Sequence, residues 1–179
     1  MKNYDFYEFA VNTAKGSRLK YELNYIQHGN TSCLLHCIAV AYFCYVFAER
    51  FKFLKLHERD LLRGALLHDY FLYDWHIPNK SRPMHGRYHP KAACKNAEED
   101  FNLTDIERDI IKKHMFPLTL TPPKYRESVL VCLVDKVCSV YEIFKKNAYG
   151  GGTVNKVFKK IGGAYKLNIL KNRKSKFRF

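Results

Sequence analysis

Between residues 32 and 53 the apolar side chains Leu35, Ile38, Val40, Tyr42, Phe43, Val46 and Phe47 recur at spacings close to three and four. That spacing gathers them on one side of an α-helix. A helix with such a side must bury it against other elements. Similar patterns run through most of the chain, and no convincing run alternates at period two. The prediction is an all-α bundle without sheet.

A first helix is predicted over residues 5–14 and a second over about 17–25. Gly29-Asn30-Thr31-Ser32 makes a turn with good N-cap residues ahead of the long helix at 32–53. His57-Glu58 opens the next helix, which carries Leu61, Leu62, Ala65 and Leu66 up to His68-Asp69. Residues 70–88 form the longest irregular stretch, with Asp74, Trp75, His76, Pro78, Asn79, Pro83 and Gly86. A helix is expected to start at Pro90, since proline suits a first helical position. Thr104 with Glu107 forms a capping box for a helix ending near His114. Pro117, Pro122 and Pro123 mark a loop. A long helix then covers 124–144, with Val129, Leu130, Leu133, Val134 and Val137 on its apolar side. Gly150-Gly151-Gly152 is the clearest boundary, followed by short helices at 153–161 and 165–170. Residues 1–26 thus read as N-terminal helices, 27–149 as the core, and 150–179 as a small basic extension, helical or partly disordered.

At 179 residues the chain suits one domain, burying roughly two-thirds of its unfolded surface without disulfide staples. Cys33, Cys37, Cys44, Cys132 and Cys138 lie inside apolar helical patterns, and no CxxC pair occurs. Together with Cys94 they read as reduced thiols of a cytoplasmic protein, which argues against zinc fingers. The N-terminus, MKNYDFYEFA, lacks the apolar core of a signal peptide. The most apolar stretch, 33–48, is interrupted by His36 and too short to span a bilayer, so a soluble protein is expected.

The net charge of +14 is distributed unevenly. Residues 151–179 hold nine Lys or Arg and no acid, while the other 150 residues carry 22 basic and 17 acidic groups, a balance of only +5. Such a tail favours a polyanion, namely a nucleotide, RNA or an anionic surface, or it serves only as a solubiliser.

Polar residues interrupt the apolar faces at informative places. His36 sits within Leu34-Leu35-His36-Cys37-Ile38, His68-Asp69 ends Gly64-Ala65-Leu66-Leu67-His68-Asp69, and Asp135 lies within Val131-Cys132-Leu133-Val134-Asp135-Lys136. Charged groups in such settings cost several kcal/mol unless paired or bound to a metal. Imidazole and carboxylate donors from three helices suit Zn, Mn, Fe or Ni better than Ca.

In order and context these residues resemble the HD-domain superfamily of metal-dependent phosphohydrolases, over roughly residues 27–142. The resemblance implies an HD-type helical bundle with His36, His68, Asp69 and Asp135 around a first divalent metal. His89 before Pro90 and His114 at a helix end resemble the dinuclear subgroup, in which they would hold a second metal bridged by Asp69. His85, four residues before His89, is the alternative at that place. The segments His68-Asp69-Tyr70-Phe71-Leu72-Tyr73-Asp74-Trp75-His76 and His114-Met115-Phe116-Pro117-Leu118 look like a bacterial branch of the superfamily. The implied cofactors are one or two of Fe, Mn, Zn, Ni or Co, with Mg as a harder option. The implied reaction is cleavage of a phosphate ester or anhydride, in a nucleotide, by a metal-activated hydroxide, with His68 and Asp69 at its centre.

One departure stands out. Many HD enzymes follow the motif with a Gly-Lys that reaches the phosphate, and that lysine is missing here. Lys80, Arg82, Arg87 or Lys136 is expected to take its place, Lys136 serving as the catalytic cation or else lying exposed. Without it, a non-hydrolytic nucleotide sensor or RNA-binding accessory is the competing expectation. Gln27 and His28 are candidates for the site's mouth, and Tyr73 or Trp75 for stacking on a base. His57 and Glu127 read as residues of solvated faces, Glu127 pairing with Arg126 or Lys124.

Overall fold

The computed structural model describes residues 5–77 and 84–163. Side-chain caps fix several helix starts. Asp5 accepts the Tyr7 N–H and opens α1 (Phe6–Ala14). Ser32 accepts the Leu35 N–H and opens α2 (Cys33–Arg50). The reciprocal Thr104–Glu107 box opens α5 (Asp105–Lys113), as the sequence predicts. The remaining long helices are α3 (Glu58–Leu67), α4 (His85–Asp100) and α6 (Arg126–Phe144).

The middle of the bundle is α2, packed against α3 and α6, while α5 packs against α3, α4 and α6. Leu34, Ile38, Leu61, Leu62, Leu66, Ile110 and Ile111 are buried where these helices meet. Each such side chain contributes about 1.5–3 kcal/mol through burial. Gly64 lets α3 and α5 approach, because a Cβ there would come 2.5 Å from the Ile110 Cδ1. By length and composition alone α2 could cross a bilayer; in this fold 56% of it is buried, and its inner side carries His36.

Several expectations need correction. The predicted helix at 17–25 is a 3₁₀ helix, Leu19–Asn24, followed by a small antiparallel hairpin of β1 (Ile26–His28) and β2 (Thr31–Ser32). Strands this short leave no period-two signal, so sheet was not expected. The fourth helix begins at His85, not Pro90; Pro90 lies inside it. As the sixth helical residue, its ring removes the backbone donor that would otherwise bond the Gly86 carbonyl.

The outer face of α6 is also a correction. Val129, Leu133 and Val137 are exposed, and the inward face carries Glu127, Ser128, Leu130, Val131, Cys132, Asp135, Cys138 and Glu142. Glu127 is therefore buried rather than solvated, and it accepts the backbone N–H of His57 at 2.8 Å.

Residues 152–163 are helical, and Val154, Val157 and Ile161 join the core beside Tyr149. The predicted helix at 165–170, the last basic residues, Lys80 and Arg82 lie outside the described residues.

Candidate metal centre

Six side chains from five helices meet in the bundle. His36 comes from α2, and His68 with Asp69 from the end of α3. His89 comes from α4, His114 from the end of α5, and Asp135 from α6. All six are buried. His36 Nε2 lies 3.1 Å from Asp135 Oδ1 and 3.9 Å from Asp69 Oδ2. His68 Nε2 lies 3.5 Å from Asp69 Oδ2 and 3.7 Å from Asp135 Oδ1. On the other side of Asp69, Oδ1 lies 3.0 Å from His89 Nε2 and 3.4 Å from His114 Nε2. Asp69 thus belongs to two converging groups, one with His36 and His68, the other with His89 and His114.

The histidines share one mode of support. The Nδ1 of His68 donates to the Ala65 carbonyl at 2.7 Å, and that of His114 to the Ile111 carbonyl at 2.9 Å. Both rings stand at helix C-caps and use carbonyls that the ending helix leaves free. His89 Nδ1 donates to the His85 carbonyl at 3.0 Å. His36 Nδ1 faces both oxygens of Glu142 at 3.0 Å. A carbonyl can only accept, so in the neutral rings the proton sits on Nδ1 and the Nε2 lone pair faces the centre.

These residues fit a divalent cation. The Nε2 of His68 and Oδ1 of Asp69 are buried without hydrogen-bond partners among the described residues. The Nε2 atoms of His89 and His114 lie 2.8 Å apart, a contact that needs a shared proton or a cation between two lone pairs. Buried polar atoms are rarely left so. The donor set, nitrogen and carboxylate oxygen, is that of Mn, Fe, Co, Ni or Zn sites.

The electrostatics match a compact ionic cluster. Burial would lower the pKa of His36, but hydrogen bonds to Asp135 and Glu142 hold it well above the usual imidazole value. Burial would raise the pKa of Asp135, and the two histidines beside it pull it far below the carboxylate range instead. Asp69 is likewise well below it, through His68, His89 and His114. His114 is lowered, chiefly by burial.

A cavity of about 570 Å³ opens onto the centre. Gln27, His28, Trp75, His85, Met115 and Lys136 are among its walls, with Asp69, His89, His114 and Asp135 at its floor. Gln27 and His28 thus stand at the mouth, and the Gln27 amide donates to Asp69 Oδ2 at 2.5 Å. Of the two candidate histidines on α4, His89 faces Asp69. His85 lies one turn outward, its ring stacked between Trp75 and His89 and its Nδ1 3.1 Å from the Tyr73 hydroxyl. Trp75 is tied down by its Nε1–H to the Ile26 carbonyl. Asp74 accepts the His76 N–H, and Arg87 lines a separate groove.

Lys136 faces the cavity, yet its ammonium already donates to the carbonyls of His114 and Cys132 and to Cys132 Sγ, at 3.0–3.1 Å. Lys136 was expected to contact phosphate or else lie exposed; in the structure it faces the cavity and also fixes the end of α5. Sequence reasoning missed Glu142, whose signal is a carboxylate seven residues after Asp135 on the same helical face. It also missed Ser139, whose hydroxyl donates to Asp135 Oδ1 at 3.4 Å.

No curated protein and no solved structure matches the chain. The family model for the HD domain matches residues 34–139, which span His36 through Asp135 and more than half of the chain. With that match over the very helices that bring the histidines and aspartates together, the chain belongs to the HD-domain family.

Proposed function

We propose that the protein is a metal-dependent phosphohydrolase that cleaves a phosphate ester or anhydride bond, with nucleotides as its substrate class. The observation that carries this reading is the sharing of Asp69 between two converging donor groups at the floor of one cavity. HD domains generally act as metal-dependent phosphohydrolases, and the donor atoms here suit one or two of Mn, Fe, Co, Ni, Zn or Mg. Bound there, the cations would supply Lewis acidity, an activated water and neutralisation of phosphate charge.

The protein's own residues do the rest. His36, His68, Asp69 and Asp135 form one donor set, and His89, His114 and Asp69 the other. Gln27 orients Asp69 through its amide. The apolar wall of Trp75, Met115, Pro117 and Leu118 excludes water and offers a surface for a base. Lys136 adds positive charge at the wall while holding the His114 carbonyl. The excess charge of residues 151–179 draws anions toward the chain and extends its reach to nucleic acid or an anionic surface. Six buried free thiols fit a reducing compartment, and we place the reaction in the cytoplasm.

The test is metal analysis of the purified protein, then a nucleotide-phosphatase screen with Mn, Fe, Co, Ni and Mg. Metal-loaded wild type should turn over at least one nucleotide. Asp69→Asn should be inactive with its far-UV circular dichroism unchanged, and equal rates in the two would overturn the reading. Two observations favour a second reading, a non-hydrolytic nucleotide sensor or RNA-binding accessory: the Lys136 ammonium is already satisfied, and Tyr70-Phe71 follows the His-Asp pair. Metal-loaded protein that binds nucleotides but hydrolyses none of them would establish it.

A further inference from the structure

Behind His68, away from the cavity, lies a second group of metal-capable side chains. Leu19 and Glu22 are the buried residues of the 3₁₀ helix Leu19–Asn24, three apart and therefore on one side of it. That side packs on α2. There Glu22 meets Cys33 and Cys37, which stand one turn apart on α2. All three residues are fully buried, and their donor atoms lie within 4.8 Å of one another. Among the described residues neither oxygen of Glu22 has a hydrogen-bond partner. A carboxylate buried this deeply without an Arg, a Lys or a backbone donor is unusual, since buried polar groups are nearly always satisfied. The thiols of Cys33 and Cys37 stand beside it.

We propose that Glu22, Cys33 and Cys37 form a separate, thiolate-rich site for a borderline-soft divalent cation of the Zn²⁺ class. Two sulfurs and a carboxylate oxygen supply three donor atoms, one short of the four that Zn²⁺ takes in structural sites, which leaves one position for a further ligand. On binding, each thiol gives its proton to solvent, and Glu22 enters as the carboxylate. The sulfur donors set this site apart from the histidine–aspartate centre, which offers only nitrogen and oxygen. The site is closed to solvent, so the cation enters as the 3₁₀ segment docks on α2 and leaves slowly. Its role is to pin that segment, and with it the hairpin carrying Gln27 and His28, to the helix that bears His36. The cysteines alone do not reveal this site, because Glu22 lies eleven residues before Cys33 and belongs to another element.

Cobalt titration of the full-length, reduced, chelator-treated protein tests the proposal. Thiolate-to-cobalt charge transfer gives near-ultraviolet absorbance that nitrogen and oxygen ligands do not. The expected result is such a band, with the intensity of one thiolate site per chain once every site is filled. It should be absent from the Cys33→Ser/Cys37→Ser variant and weakened in Glu22→Gln. No band in the wild type, or an equal band in a folded double variant, overturns the proposal. Should the double variant fail to fold, X-ray absorption at the zinc edge of zinc-loaded wild type decides. Sulfur neighbours at ~2.3 Å support the site, and a shell of nitrogen and oxygen alone overturns it. Loss of phosphohydrolase activity leaves this band unchanged, so the failure of either reading is seen separately.

Discussion

His89 Nε2 and His114 Nε2 face each other at 2.8 Å, while both Nδ1 atoms donate to backbone carbonyls. Two neutral rings so anchored point lone pairs at one another. The contact is favourable only with a proton or a cation between them, and Asp69 Oδ1 completes a three-donor pocket for the latter. His114→Ala should therefore lower metal content by one equivalent per chain, by elemental analysis at saturating Mn²⁺ or Fe²⁺. The donor set at His36, His68, Asp69 and Asp135 should keep its cation. Equal metal content in variant and wild type would remove His114 from the donor set.

Glu142 gives a second expectation. Its carboxylate accepts from His36 Nδ1 and from the Tyr149 hydroxyl, the latter at 2.9 Å. It orients the ring and strengthens Nε2 as a donor. Glu142→Gln keeps the shape and removes the charge. Metal affinity should fall about 10- to 100-fold, the usual effect of losing such a support. Tyr149→Phe leaves the carboxylate in place and should cost less. The two affinities, measured by competition with a chelating dye, check the order.

The convergence of the histidines and aspartates was legible because these side chains break a pattern. His36, His68-Asp69 and Asp135 are polar residues within apolar helical runs, and water-free surroundings demand a partner for each. The choice between His85 and His89 was not legible. They lie four apart on one helix face, and Pro90 suggested a helix start where the helix is already one turn old. The faces of α6 misled for a related reason. Polar residues of the site occupy its inner side, so Val129, Leu133 and Val137 marked the outside. Glu142 escaped because one carboxylate near a helix end looks like a solvated residue until its partner His36, 106 residues away, is known.

Gly29 carries the third expectation. Its φ of 57° is left-handed, and a Cβ there would lie 2.7 Å from the Glu142 carbonyl oxygen. The hairpin that presents Gln27 and His28 thus sits directly against α6. Gly29→Ala adds backbone strain of about 1 kcal/mol and a contact with rigid backbone. Gly16 also has positive φ, 74°, but none of the described residues lies within 4 Å of its Cβ position. Gly16→Ala should show the strain alone. Thermal melts should place Gly29→Ala below Gly16→Ala, and equal melting temperatures would show that the hairpin yields without cost.

The last expectation concerns acid stability. No side chain of Tyr125 caps α6, the helix that carries Asp135. Asp109 from α5 holds the residues that lead into it: its Oδ2 accepts the backbone N–H of Lys124 at 2.8 Å, and its Oδ1 pairs with Lys113 at 2.6 Å. Burial would raise the pKa of this carboxyl. Lys113 and the Lys124 N–H outweigh that and hold it below the usual value. A carboxyl with a depressed folded pKa stabilises fully above its unfolded value of about 3.9 and ceases to do so as pH falls through the folded value. Asp109→Asn should therefore be less stable than wild type at pH 7, by about 1 kcal/mol for the weakened hydrogen bonds and lost charge. The difference should narrow as pH drops below about 4, where the unfolded chain takes up the proton, and close as pH falls through the lower folded value. Urea unfolding of both metal-free proteins at pH 7 and pH 3 measures the gap. A gap that stays constant across that range would mean that Asp109 acts by shape rather than by charge.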